Sequence, residues 1–192
     1  WKKLAKWPAS NSARDIYLAP DGALSWNLPT YVKAGSFTEY VSDPVHPVPY
    51  TEDVHFRRTR EYMTDDQRFA SRRPDVLTFQ TYPLEEDLTL AGPVIANLKV
   101  SVSGTDADFV VKVIDVFPDD FRYPGSAQSS SRIAGGDYPM DGYQMLVRGE
   151  IMRGKFRNSF ENPAPFKPGK IETVKFELPD VAHTFKKGHR LM

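Results

Sequence analysis

Four histidines, His46, His55, His183 and His189, are the side chains of this chain that could act as a general base or ligate a metal near neutral pH. Their spacing supports neither role. No H-x-H or H-E-x-x-H occurs, cysteine is absent, and a metal site would have to recruit distant carboxylates. No G-x-S-x-G is present, so the sharp strand-to-helix turn that presents a serine nucleophile is missing. Asp106 and Asp108 could be half of a calcium site, but the remaining ligands of an EF-hand loop do not follow, and the pair reads as caps on a strand end. Gly135-Gly136-Asp137 sits in a polar loop with no strand before it, which argues against a phosphate cradle. Arginines 57, 58, 60, 68, 72 and 73 alternate with acids and lack the stacked aromatics of a nucleic-acid face, so they read as salt-bridge partners. The residues by themselves assemble no catalytic constellation and imply no cofactor.

Composition narrows the function classes further. Lys plus Arg equals Asp plus Glu at 25 each, so no net field draws the chain to nucleic acid or to an anionic membrane. No apolar run reaches membrane-spanning length, and the opening WKKLAKWPAS lacks the apolar core of a signal peptide. The compartment stays open, because a domain with 12 Phe, 9 Tyr and 3 Trp can be stable without disulfides inside or outside a cell. The chain starts without Met and ends on Arg190-Leu191-Met192 in what reads as the middle of a strand, so a fragment of something longer is expected.

The elements that must position any site are strands. Phe109 to Phe117 is apolar on both alternating faces, interrupted only by Lys112 and Asp115, and is bounded by Gly104-Thr105-Asp106 and Pro118-Asp119-Asp120. That pattern predicts a central strand covered on both sides. Leu88 to Ser103, one long strand or a strand pair broken at Gly92-Pro93, is expected to form an antiparallel pair with it through the Gly104 turn. Arg14 to Ala19 and Ala23 to Trp26 flank Pro20-Asp21-Gly22 as a hairpin, and Ser36 to Val41 and Val76 to Tyr82 alternate as strands do. Tyr143 to Met152, Lys170 to Leu178 and a last strand starting at His189 complete about nine. Two long loops, 42–75 and 119–142, interrupt the pattern; the first is either functional or a solvated excursion. With no long helix, the list predicts an all-β domain, two antiparallel sheets stacked as a jelly-roll sandwich.

Several blocks carry a resemblance: SGTDADFVVKVIDVFPD, the preceding DDQRF and RRPDVLTF, the following GYQMLVRGEIMRGKFRNSFENPAPFKPGK, and HTFKKGHRLM. Together they resemble the carboxy-terminal, galactose-binding-domain-like β-domain of the X-Pro dipeptidyl-peptidase and cocaine-esterase family of serine hydrolases, in particular its α-amino-acid ester hydrolase and glutaryl-cephalosporanate acylase branch. The resemblance implies that residues 1–13 are a connector from a preceding α/β-hydrolase domain and that 14–192 are the jelly roll. It implies a Ser-Asp-His triad upstream of Trp1, so no catalytic residue transfers to this chain. Its partners would be the α/β-hydrolase and cap domains of the parent and that enzyme's small-molecule ester or amide substrate, with room for a homo-oligomer and for a periplasmic or secreted parent. The family continues into a further strand and an aromatic-rich tail where this chain stops at Met192.

By position, the loop that such proteins reach toward the substrate is Tyr50 to Met63. His55, Phe56, Tyr62 and Met63 are then the pocket-facing side chains, since aromatic and thioether groups suit an acyl or aryl substrate. The same four could instead pack between domains. The competing expectation is a free-standing carbohydrate- or ligand-binding jelly roll, which exposed coplanar aromatics on one sheet face would favour.

Overall fold

The computed structural model describes residues 3–8, 12–31, 33, 35–57, 60–123 and 138–192. Trp1, Arg58 and Gly135-Gly136-Asp137, with most of the second long loop, lie outside the described residues. The fold is all-β, as the alternation predicts. Its strands are β1 (Tyr17–Leu18), β2 (Leu24–Ser25), β3 (Leu88–Val100), β4 (Asp108–Val116), β5 (Gln144–Arg153), β6 (Glu172–Phe185) and β7 (Arg190–Leu191). Among the described residues helix is confined to one turn, α1 (Arg68–Ser71), and three short 3-10 segments. The strands number seven among the described residues, and they form sheets ordered β1-β2, β3-β6 and β5-β4-β7.

One expectation is corrected by that order. β3 pairs with β6, and β4 with β5 and β7, so the pair predicted between Leu88–Ser103 and the central strand does not form. The 101–107 connection spends its backbone elsewhere: Val102 O accepts Gly169 N at 2.9 Å, Thr105 O accepts Phe166 N at 2.8 Å and Ala107 O accepts Gly154 N at 2.8 Å. A tight hairpin turn would need those groups for itself. β3 also runs unbroken through Gly92-Pro93, with Gly92 at φ 126° and Pro8 packed where a side chain would begin.

The chain divides into two compact units, the first made of Trp1–Asn11, Thr89–Val113 and Val147–His183. Its buried apolar side chains include Ala96, Val113, Phe166, Val174, Phe176, Leu178 and Val181. Along β6 the inward positions are even up to Leu178 and odd from Val181, with Pro179 and Asp180 both outward. Such a parity change is what a bulge produces, and it falls where Pro179 has no N–H for a ladder. The strand therefore passes the proline at which the sequence predicts its end. Arg157, only 4% exposed along its side chain, pins the 154–172 region by bonding Gly154 O at 2.9 Å, Ala164 O at 2.5 Å and the Glu172 carboxylate, with Phe166 beneath it at 4.1 Å. Asp106 accepts from Ala107 N and Lys155 N, and Asp108 from Arg153, which is the strand-end capping role.

The second unit comprises Ser12–Leu88, Ile114–Leu146 and Thr184–Met192. The predicted hairpin is present, with Tyr17 opposite Ser25 and Leu18 opposite Leu24 around a turn in which Asp21 (φ 61°) and Gly22 (φ 74°) take left-handed backbone. Val76 to Tyr82 is not a strand. Its bonds are divided, Gln80 meeting Gly22 and Leu24 while Thr81 N reaches Leu191 O at 2.9 Å, so only an isolated bridge from Ala23 to Gln80 forms. Ser36 to Val41 is also irregular, and its Phe37 and Val41 are exposed. β4 is central, as predicted, with β7 antiparallel to it through Asp115 opposite Leu191 and Val116 opposite Arg190. Burial on both faces holds for Val113 to Val116, while Val110 nearer the start is exposed.

Candidate functional site

The 50–65 segment is a loop closed at its neck. Glu52 N donates to Asp65 Oδ2 at 3.2 Å, and the rings of Tyr50 and Tyr62 stack with centroids 5.5 Å apart. Ends held together across a segment whose described residues hold one 3-10 turn, Glu61–Met63, are the mark of an Ω-type loop. The four residues expected to face a pocket all lie on it: His55, Phe56 and Met63 are exposed, Phe56 completely so, and Tyr62 is half-buried in its stack.

At the neck, β5 begins with a grip that sequence reasoning does not find. Tyr143 OH donates to Thr64 O, Ser71 Oγ to Gln144 Oε1 at 2.6 Å, Gln67 N to Gln144 O at 3.0 Å and Gln144 N to Asp66 Oδ1 at 3.2 Å. Tyr143 is itself fixed from behind, because its carbonyl accepts Phe117 N at 2.9 Å and the preceding Gly142 makes a left-handed turn at φ 64°. Periodicity cannot signal such contacts, since each joins residues more than seventy positions apart. Beside this grip is an open cleft of about 410 Å³ lined by Glu52, Glu61, Asp65, Asp66, Tyr138 and Tyr143, among others. Burial, with the neighbouring Tyr138 and Asp66 adding to it, pushes the Tyr143 phenol up to about 12, so it remains a donor at neutral pH. Arg68 offsets part of the acidic charge through Asp66, whose bond to it raises the guanidinium pKa.

One acid–base pair is assembled elsewhere. His189 Nδ1 lies 2.8 Å from Asp115 Oδ1, an arrangement that in a hydrolase would orient a general base. Here the ring is 5% exposed and lies against Phe117 at 4.4 Å and Phe121 at 6.2 Å. Substrate has no access to it, so the pair is a packed one. His46 bonds its neighbour Asp43 on the surface, which holds that carboxyl below its ordinary range. Among the described residues no group of three His, Cys, Asp or Glu side chains could hold a metal ion, and no helix is long and apolar enough to cross a membrane. Of the described tryptophans, Trp7 bonds Asp180 and Trp26 carries Arg14 at 4.5 Å.

The aminopeptidase of a marine sediment archaeon, Thaumarchaeota archaeon, is 37% identical and superposes with a TM-score of 0.84 over all of this chain and 30% of its own. An α-amino acid ester hydrolase is 41% identical with a TM-score of 0.78, over 92% of this chain and 27% of its own. The cocaine esterase of Rhodococcus sp. (strain MB1 Bresler) is 28% identical over all of this chain and 31% of that enzyme. This chain thus spans less than a third of the length of each. Residues 1–192 match the family described as the X-Pro dipeptidyl-peptidase C-terminal non-catalytic domain, and the chain belongs to that family.

Proposed function

We propose that this chain serves a longer serine hydrolase that cleaves ester or amide bonds, acyl or X-Pro peptide, through a Ser-Asp-His triad in a preceding α/β-hydrolase domain. On this reading residues 1–13 are the connector from that domain and 14–192 a jelly-roll sandwich. Tyr50–Met63 reaches over the substrate, with His55, Phe56, Tyr62 and Met63 as its wall. The observation that carries the reading is apolar surface left in water. Phe37, Val41, Val45, Val54, Phe56 and Met63 are all more than half exposed, on a stretch with almost no regular structure. Each large apolar side chain gains roughly 1.5–3 kcal/mol when fully covered, so such a run favours a partner. The relatives are more than three times as long, and that extra chain is the natural cover.

The chemistry would be acyl transfer. Serine attacks the carbonyl, histidine carries the proton, backbone amides hold the oxyanion, and water frees the acyl-enzyme. This chain would contribute a wall and interdomain area, and its own residues would take no proton.

Fluorophosphonate labelling of source cells tests the reading, followed by intact mass and peptide mapping of species containing Val113–Arg122. The expected result is a labelled protein well above 21.8 kDa whose tagged serine lies outside these 192 residues. A tagged serine within them overturns the reading. An unlabelled species of about 21.8 kDa favours the free-standing ligand-binding module instead.

A further inference from the structure

We infer that Tyr143 and Gln144 are positioning residues: they clamp the neck of the 50–65 loop and thereby set where Phe56 stands and how tightly the longer enzyme holds substrate. This rests on the reading of that loop as a pocket wall. The clamp acts at both sides of the neck. Thr64 is held by the Tyr143 hydroxyl, and Asp66, Gln67 and Ser71 are held by Gln144 through its N–H, carbonyl and side-chain amide. Asp65, between them, carries the other end of the loop by accepting Glu52 N. Glu52 lies outside any strand or helix, and beside this bond the stack of Tyr50 on Tyr62 joins the two sides of the loop.

The anchor is in turn continuous with the central strand. Phe117 N bonds Tyr143 O at 2.9 Å, Gly142 N bonds Pro118 O at 3.0 Å, and the Tyr143 ring meets Phe117 edge-on at 6.2 Å and Tyr138 at 5.9 Å. A Cβ at Gly142 would come within 2.9 Å of Asp119 Oδ1, and its φ of 64° is left-handed backbone that other residues adopt only under strain. The raised phenol pKa keeps the Thr64 bond intact across the range in which a histidine base works. The loop is therefore tied to β4 through two adjacent residues.

Steady-state kinetics of the longer enzyme on p-nitrophenyl butyrate test this with Tyr143→Phe, Gln144→Ala, Phe56→Ala and the double variant Tyr143→Phe/Phe56→Ala. Tyr143→Phe keeps the ring contacts and deletes only the donor. Expected is a KM raised roughly three- to tenfold, the worth of one net hydrogen bond, with kcat within about twofold and the melting temperature nearly unchanged. In the Phe56→Ala background the same change should have little further effect on KM. Hydrogen exchange of residues 52–63 should quicken in both clamp variants. If Tyr143→Phe fails to fold, Gln144→Ala and Ser71→Ala carry the same prediction. KM unchanged in the folded clamp variants, or raised equally with and without Phe56, overturns the inference. Raised KM in Phe56→Ala alone, with the clamp variants normal, overturns the clamp and leaves the wall reading standing; Phe56→Ala with normal KM brings down the wall reading itself.

Discussion

His189 and Asp115 form a pair 2.8 Å apart with 5% and 2% of their surfaces exposed, joining the end of β4 to the residue just before β7. Removing one partner leaves the other buried without its mate. Asp115→Ala is expected to cost about 3–5 kcal/mol in urea unfolding, and Asp115→Ala/His189→Ala to cost less than the sum of the single changes. Strict additivity would mean that the contact does not couple β4 to β7.

Gly154 is where two segments of the first unit meet most closely. A Cβ there would lie 3.0 Å from both Ala107 O and Phe109 Cε2, with the Phe166 ring closer still. Phe109 and Phe166 already contact one another at 6.0 Å and Arg157 covers Phe166, so the rings have little freedom to yield. Gly154→Ala should destabilise by about 1–3 kcal/mol, the usual cost of overpacking, and lower the thermal midpoint. An unchanged midpoint would show that the connection can shift.

Acid stability should depend on Glu172. Its bond to Arg157 lowers its pKa below the ordinary 4.5, so the folded state binds fewer protons than the unfolded one. The contribution is complete above pH 4.5 and is lost as pH falls through the lower folded value. Arg157→Met removes the cause. Its urea midpoint should be lower near neutrality and fall less steeply below pH 4.5 than that of the parent chain. Parallel profiles would contradict this.

The alkaline limb belongs to Tyr143. Its pKa rises from 10.0 to about 12 on folding, chiefly through burial, so the unfolded chain ionises first. Stability from this group is complete below pH 10.0 and declines as pH rises toward 12. Tyr143→Phe should flatten that decline in a denaturation series between the two values. A decline of equal slope in both proteins would assign it to other groups.

The sequence reveals β4 and β6 because burial on a sheet face imposes a period of two, visible in Phe109–Phe117 and in Val174, Phe176 and Leu178. Which strand each one pairs with is not visible. Gly104-Thr105-Asp106 has hairpin chemistry, yet its neighbours bond the distant 154–169 connection, and local turn preference carries no information about that competition. Ser36 to Val41 alternates without a partner strand, since alternation records a face that wants cover and not where the cover comes from. Likewise Phe56 can be placed on an irregular loop by reading, whereas Tyr143 and Gln144, which fix that loop's neck, look like ordinary strand residues.

The most direct measurement is the pair of constants, KM and kcat, for the longer enzyme with Phe56→Ala. The proposed wall contacts substrate equally before and during reaction, so the account predicts KM raised by about fivefold or more with kcat within about twofold. Both constants unchanged, in a protein that still melts normally, would contradict a pocket wall built by this chain.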